Sequence, residues 1–106
     1  PRPMEMLLLG TGGCSIYDVL AMLKKSRQAV SDCRVEISAE RADAVPAVFT
    51  RITLHFVVTG RGLKESHVRR AVELSAEKYC SASIMLGAAG VAIDHSFEIV
   101  EEDGAA

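Results

Sequence analysis

The stretch PMEMLLLGTGGCSIYDVLAMLKKSR, Pro3 to Arg27, decides how the rest of the chain must fold. It reads as a helix. Pro3 suits a first helical turn, Glu5 complements the positive end of the helix dipole, and Lys24, Lys25 and Arg27 stand at the far end, where cations are favoured. Met4, Leu7, Leu8, Ile16, Val19, Leu20 and Leu23 fall at helical spacing, and the middle is apolar nearly all round, the pattern of a buried helix. Gly10, Gly12 and Gly13 interrupt it, each costing roughly 1 kcal/mol against alanine in a helix interior. Two needs would explain them: close packing against a neighbouring element, or access to Cys14 beside them.

The segments that follow must cover that helix. Asp32 to Glu40 alternates, with Cys33, Val35, Ile37 and Ala39 on one face, which predicts a half-buried strand. After the turn region around Pro46, Phe49 to Thr59 alternates again. Its core face is Thr50, Ile52, Leu54, Phe56 and Val58, and it pairs with the first strand as an antiparallel hairpin. Lys64 to Tyr79 returns to helical spacing, with Val68, Ala71, Val72, Ser75 and Tyr79 on one stripe. A short helix, SASIML, starts after Cys80 with Ser81 or Ser83 as its N-cap; Gly87 to Gly90 turns, and Val91 to Val100 is a last strand. Glu101 to Ala106 reads as a solvated, frayed tail. This order predicts one α+β domain over residues 1–106, an antiparallel sheet packed on a long buried helix. Three strands are thin cover for so apolar a helix, so a further N-terminal hairpin or a partner subunit is expected to complete it. The start at Pro1, without an initiator methionine, carries the same expectation of an N-terminal portion not included here.

Twelve Lys and Arg are scattered among fourteen Asp and Glu, which points away from nucleic acid and from an anionic membrane surface. The run MLLLGTGGCSI ends before Asp18, too short to span a bilayer. Three cysteines without dense spacing argue against a disulfide scaffold and for a reducing compartment such as the cytoplasm. There is no C-x-x-C, and no His or Cys pair has zinc-ligand spacing, so no metal is expected.

The chemistry rests on Cys14, in TGGCS, and Cys80, in EKYCS. A nucleophilic cysteine must be a thiolate, its pKa lowered from about 8.5 by a cation or a helix N-terminus. Cys80 stands just before the SASIML helix and has that setting in its own sequence, whereas Cys14 depends on a tertiary partner. The two can act as a pair if their Cα atoms come within about 7 Å; otherwise both simply pack, as buried cysteines commonly do. Cys33, on the inner face of a strand, reads as structural. His55, His67 and His95 read as solvated or hydrogen-bonded, and Tyr79 as core.

The segments PMEMLLLGTGGCSIYDVL, FTRI and RAVELSAEKYCSASIML, in this order, resemble the OsmC/Ohr family, the osmotically inducible and organic hydroperoxide resistance proteins. The chain looks nearest to the OsmC-like branch of redox proteins. The resemblance implies an OsmC-like fold in an intertwined homodimer, with the Pro3–Arg27 helix buried against the partner and the active sites at the interface. It implies a cytoplasmic thiol peroxidase acting on organic hydroperoxides without a bound cofactor. Cys14 would be peroxidatic and become a sulfenic acid; Cys80 would resolve it as a disulfide that an external dithiol, such as a lipoylated protein, reopens. The family's catalytic arginine comes from the N-terminal strand region not included here. Its glutamate directly follows the proline at the helix start, where this chain has Met4; Glu5 is one residue later, rotated about 100°. These departures leave open a second reading, a dimeric OsmC-like binding module with an apolar interface pocket.

Overall fold

A computed structural model describes residues 2–102. Helix α1 spans Pro3–Lys25, strand β1 Ala29–Arg41 and strand β2 Phe49–Arg61; helix α2, Glu65–Leu74, runs into a π-helical turn at Ser75–Tyr79, followed by helix α3, Ser81–Ala88, and strand β3, Ala92–Glu101. The Glu5 carboxylate caps α1 by accepting from the Arg2 amide at 2.9 Å. The helix ends two residues short of the expected Arg27, because that residue turns left-handed (φ 59°) and lets the Gln28 amide reach back to the Leu23 carbonyl at 2.9 Å.

β1 and β2 form the expected antiparallel hairpin, with Val35 opposite Phe56 and Ile37 opposite Leu54. Both strands run longer than their alternation suggested, since ladder hydrogen bonds recruit the polar residues flanking each apolar core. β3 corrects the expected all-antiparallel sheet: it pairs with β2 in parallel, Ile52 beside Ile93 and Phe56 beside Phe97, giving the order β1-β2-β3. The cause is connectivity. Two helices intervene between β2 and β3, and such a crossover returns the chain to the end from which β2 began.

The core lies between the sheet and the helices. Ile52, Leu54, Phe56 and Val58 form one cluster with Val19 and Leu23 of α1 and Val68, Ala71 and Val72 of α2, with Cys33, Val35 and Ile37 half-buried against it. Thr50 is exposed instead of core-facing, and Phe49 is buried in its place. Arg51 pairs with Glu40 but Phe49 with Arg41, so Thr50 is the extra residue of a bulge that flips the alternation.

Gly12 meets the first of the two needs inferred from sequence. A Cβ there would lie 2.5 Å from Ile37 Cδ1 and 3.1 Å from Val35 Cγ1, so α1 sits directly on β1 at this point. Gly10 and Gly13 face open space.

α1 is not buried all round in the single chain. Thr11, Gly12, Ser15, Val19 and Leu23 are buried, while Met6, Leu7, Leu9, Tyr17 and Leu20 stay exposed. α1 is long and apolar enough to cross a membrane, which the shorter apolar run within it did not suggest, but one of its faces packs on β1 and α2. At the other end, Glu101 and Glu102 are not a loose tail. The Glu101 carboxylate accepts from the Gly62 amide at 2.9 Å, and the Glu102 amide donates to the Gly60 carbonyl at 2.7 Å. The rest of that expected tail, 103–106, lies outside the described residues.

Candidate functional site

Four polar residues in the middle of α1 lie near one line. Thr11, Cys14, Ser15 and Asp18 follow i, i+3, i+4 and i+7 spacing, which aligns them on a single face of the helix. That face meets the junction between the π-turn and α3. The turn is wider than an α-helix, and the Cys80 amide reaches the Ser75 carbonyl at 2.7 Å. The extra residue breaks the phase of the expected apolar stripe: Val68, Ala71, Val72 and Ser75 stay buried, whereas Tyr79 swings out, 49% exposed, with Lys78 over its ring. It also places Cys80, in extended conformation, as the N-cap of α3. Neither Ser81 nor Ser83 fills the cap role expected of them, and no side chain caps the helix.

Cys14 and Cys80 are thereby brought together. The two sulfurs and a carboxylate oxygen of Asp18 all lie within 4.8 Å of one another, with both thiols reduced. A disulfide needs about 2.05 Å, so bridging asks for a movement of under about 3 Å. Cys80 is fully buried (0% exposed), while Cys14 is half-buried. The Ser15 hydroxyl and Cys80 Sγ share a hydrogen bond of 3.1 Å, and Cys80 Sγ donates weakly to the Thr11 carbonyl at 3.9 Å. The Ser75 hydroxyl donates to the Ser15 carbonyl at 3.3 Å, tying the π-turn to α1.

The electrostatics of the two thiols differ in sign. Burial pushes the Cys80 thiol up, but the Ser15 hydroxyl, the Ser83 hydroxyl and amide, and Cys14 together outweigh it, and its pKa is lowered. The Ser83 hydroxyl is aimed at the sulfur without closing a regular hydrogen bond. For Cys14 the Ala82 amide at the start of α3 pulls the pKa down, yet burial, the hydrogen bond to Cys80 and its charge prevail, and the net shift is upward. Two coupled thiols behave this way: the sulfur that receives more hydrogen bonds gives up its proton more readily, and the other holds its own. The α3 N-terminus thus serves both sulfurs, as its sequence position suggested for Cys80.

Asp18 has no such support. Burial raises its pKa, opposed by the Ser75 hydroxyl, and its buried Oδ2 has no hydrogen-bond partner. In the sequence Asp18 marks only the end of an apolar run. The signal that finds it is its i+4 spacing from Cys14, together with Thr11 and Ser15 on an otherwise apolar helix. The three donors Cys14, Asp18 and Cys80 are also the one group among the described residues gathered closely enough to offer a metal ion three ligands. No sequence spacing shows this set, because Cys80 arrives from a different helix.

The remaining candidates stand elsewhere. Glu5 is about two and a half turns before Cys14, roughly 13 Å along the axis, and is engaged in the N-terminal cap. Cys33 packs against the core, where burial and then the charge of Asp32 push its thiol up to about 11. His55 hydrogen-bonds Ser96 at 2.7 Å and Glu98 at 2.9 Å on the outer face of the sheet, and His67 bonds Gln28 at 3.3 Å. His95 lines a groove of about 550 Å³ between α2 and β3, and a second groove of about 480 Å³ lies between Met22, Lys25, His67 and Arg70. Neither groove contains Cys14 or Cys80.

The chain matches the family described as OsmC-like protein over residues 1–96. It is similar to Protein YhfA of Escherichia coli (strain K12), 56% identical over 100 residues that cover 94% of this chain and 74% of that protein. Among solved structures, a hypothetical protein from Aquifex aeolicus VF5 is 34% identical with a TM-score of 0.90, over 96% of this chain and 76% of that one. An organic hydroperoxide resistance protein OsmC, a predicted redox protein from Legionella pneumophila, shares the fold at 15% identity and a TM-score of 0.73, over 92% of this chain and 69% of that one.

Proposed function

The chain belongs to the OsmC-like family, and from that premise we propose that it is a thiol-dependent peroxidase that reduces organic hydroperoxides through Cys14 and Cys80. The observation that carries this reading is the approach of two reduced thiols, from helices far apart in sequence, to within 4.8 Å at the N-terminus of α3. Exposure supports the division of roles. Cys14 is partly exposed and can meet a substrate; Cys80 is fully buried.

The Cys14 thiolate attacks the distal oxygen of the hydroperoxide. An S–O bond forms, the O–O bond breaks, sulfur is oxidised by two electrons, and the alcohol leaves. Cys80 then attacks the sulfenic sulfur, the disulfide closes and water departs. The amides of Ser81 and Ala82 face Cys14 and favour its charged form at the moment of attack. An external dithiol, of the lipoyl class, returns both thiols. No bound cofactor enters the cycle.

The working form in this proposal is a cytoplasmic homodimer. Support for the dimer comes from Met6, Leu7, Leu9 and Tyr17 on α1 and Met85 on α3, apolar side chains that the single chain leaves exposed. The experiment is direct: the full protein, given cumene hydroperoxide and dihydrolipoamide, is expected to consume the hydroperoxide catalytically and release cumyl alcohol. Consumption no faster than with dihydrolipoamide alone would refute the proposal.

A further inference from the structure

Of the two thiols it is the buried Cys80 whose pKa is lowered, while the more exposed Cys14 holds its proton more tightly than a free thiol. The peroxide step therefore needs two proton transfers. The Cys14 thiol must lose one before it attacks, and the alkoxide released from the hydroperoxide must gain one as it leaves. One group at the site is free to do both. Asp18 stands one turn from Cys14 on the same helix, a carboxylate oxygen lies within 4.8 Å of both sulfurs, and its buried Oδ2 makes no hydrogen bond. A buried carboxylate oxygen without a partner is costly.

We propose that Asp18 is the proton carrier of the peroxide step, a catalytic residue that takes the Cys14 thiol proton and hands it to the leaving alkoxide. The inference rests on the peroxidase reading above. The Asp18 carboxylate accepts the proton from Cys14 Sγ, and the thiolate electron pair attacks the distal oxygen. As the O–O bond breaks, its electron pair stays on the proximal oxygen, which receives the proton from Asp18. The products are Cys14 sulfenic acid, the alcohol and an ionised Asp18, so the carboxylate begins and ends unchanged. The distance suits this path. The leaving oxygen lies beyond the attacked one in line with the sulfur, and a hydroperoxide that approaches on the Asp18 side brings it within hydrogen-bond reach of a carboxyl oxygen less than 5 Å from that sulfur.

Two reactions of Cys14 separate this role from a structural one. Oxidation by cumene hydroperoxide releases an alkoxide that needs a proton, whereas alkylation by iodoacetamide releases iodide, which needs none. In Asp18→Asn, single-turnover oxidation of Cys14 is expected to slow by about 10² to 10⁴-fold, the range for losing a general acid–base group, while alkylation, which needs the thiol proton removed but none supplied to its leaving group, slows by clearly less. Equal slowing of both reactions, or oxidation at the wild-type rate, would overturn the proposal. Should the variant fail to fold, the wild-type protein still decides. With Asp18 protonating the leaving group, oxidation rates across hydroperoxides depend weakly on the acidity of the departing alcohol; a steep dependence would overturn it. A wild-type protein whose Cys14 alkylates normally but ignores hydroperoxide would instead refute the peroxidase reading on which the proposal stands.

Discussion

Cys14→Ser is expected to lower hydroperoxide consumption by roughly a thousandfold or more, the scale of losing a reacting nucleophile, whereas Cys80→Ser still reacts once. The difference follows from exposure and geometry. With Cys80 absent, Cys14 remains half-exposed and can accept one oxygen, but nothing closes the disulfide, so the sulfenic acid persists and dimedone labels it. With Cys14 absent, the remaining thiol of the pair is fully buried against Ser15 and Thr11 and meets no substrate. Cys33→Ser is expected to leave turnover unchanged, since that thiol lies in the core with its pKa pushed up to about 11. The reverse pattern, dimedone trapped at Cys80 in Cys14→Ser and no trapping in Cys80→Ser, would exchange the two roles. The lowered pKa of Cys80 is what makes that comparison informative.

Phe56→Ala is expected to cost about 3–5 kcal/mol of stability, the range for deleting a buried aromatic side chain. Phe56 is 1% exposed on the central strand, paired with Val35 on one side and Phe97 on the other, in the cluster that holds both α1 and α2. Domains of this size have about 5–15 kcal/mol in total, and each kcal/mol shifts Tm by roughly 4–8 °C, so a drop of at least about 12 °C is expected by thermal unfolding. Val100→Ala, on β3 at 41% exposure, is expected to stay within about 0.5 kcal/mol of wild type. A Phe56→Ala loss below about 1 kcal/mol would mean that the sheet and helices are not packed around this side chain.

Local patterns carried much of the fold. The start of α1 at Pro3, the alternation of Ile52, Leu54, Phe56 and Val58, and the break after Tyr79 are each encoded by neighbouring residues, and all are found where the pattern puts them. What depends on distant contacts was not legible. The parallel pairing of β3 follows from how the crossover runs, and nothing in its own residues distinguishes parallel from antiparallel. The exposed face of α1 looked buried because apolar character alone does not say what covers it. The bulge at Thr50 and the π-turn each insert one residue, and a period-based reading then loses phase, misplacing Phe49 and Tyr79. At the site, the two cysteines stood out through their unusual surroundings, but Asp18 did not. Its meaning appears only when Cys80 is brought to its side.

The most direct test of the central claim is a thiol count after one equivalent of cumene hydroperoxide, with peptide mapping of the product. The account predicts that free thiols fall from three to one, that Cys33 remains free, and that the new cross-linked peptide joins Cys14 to Cys80. Three free thiols after exposure, or a disulfide that includes Cys33, would contradict it.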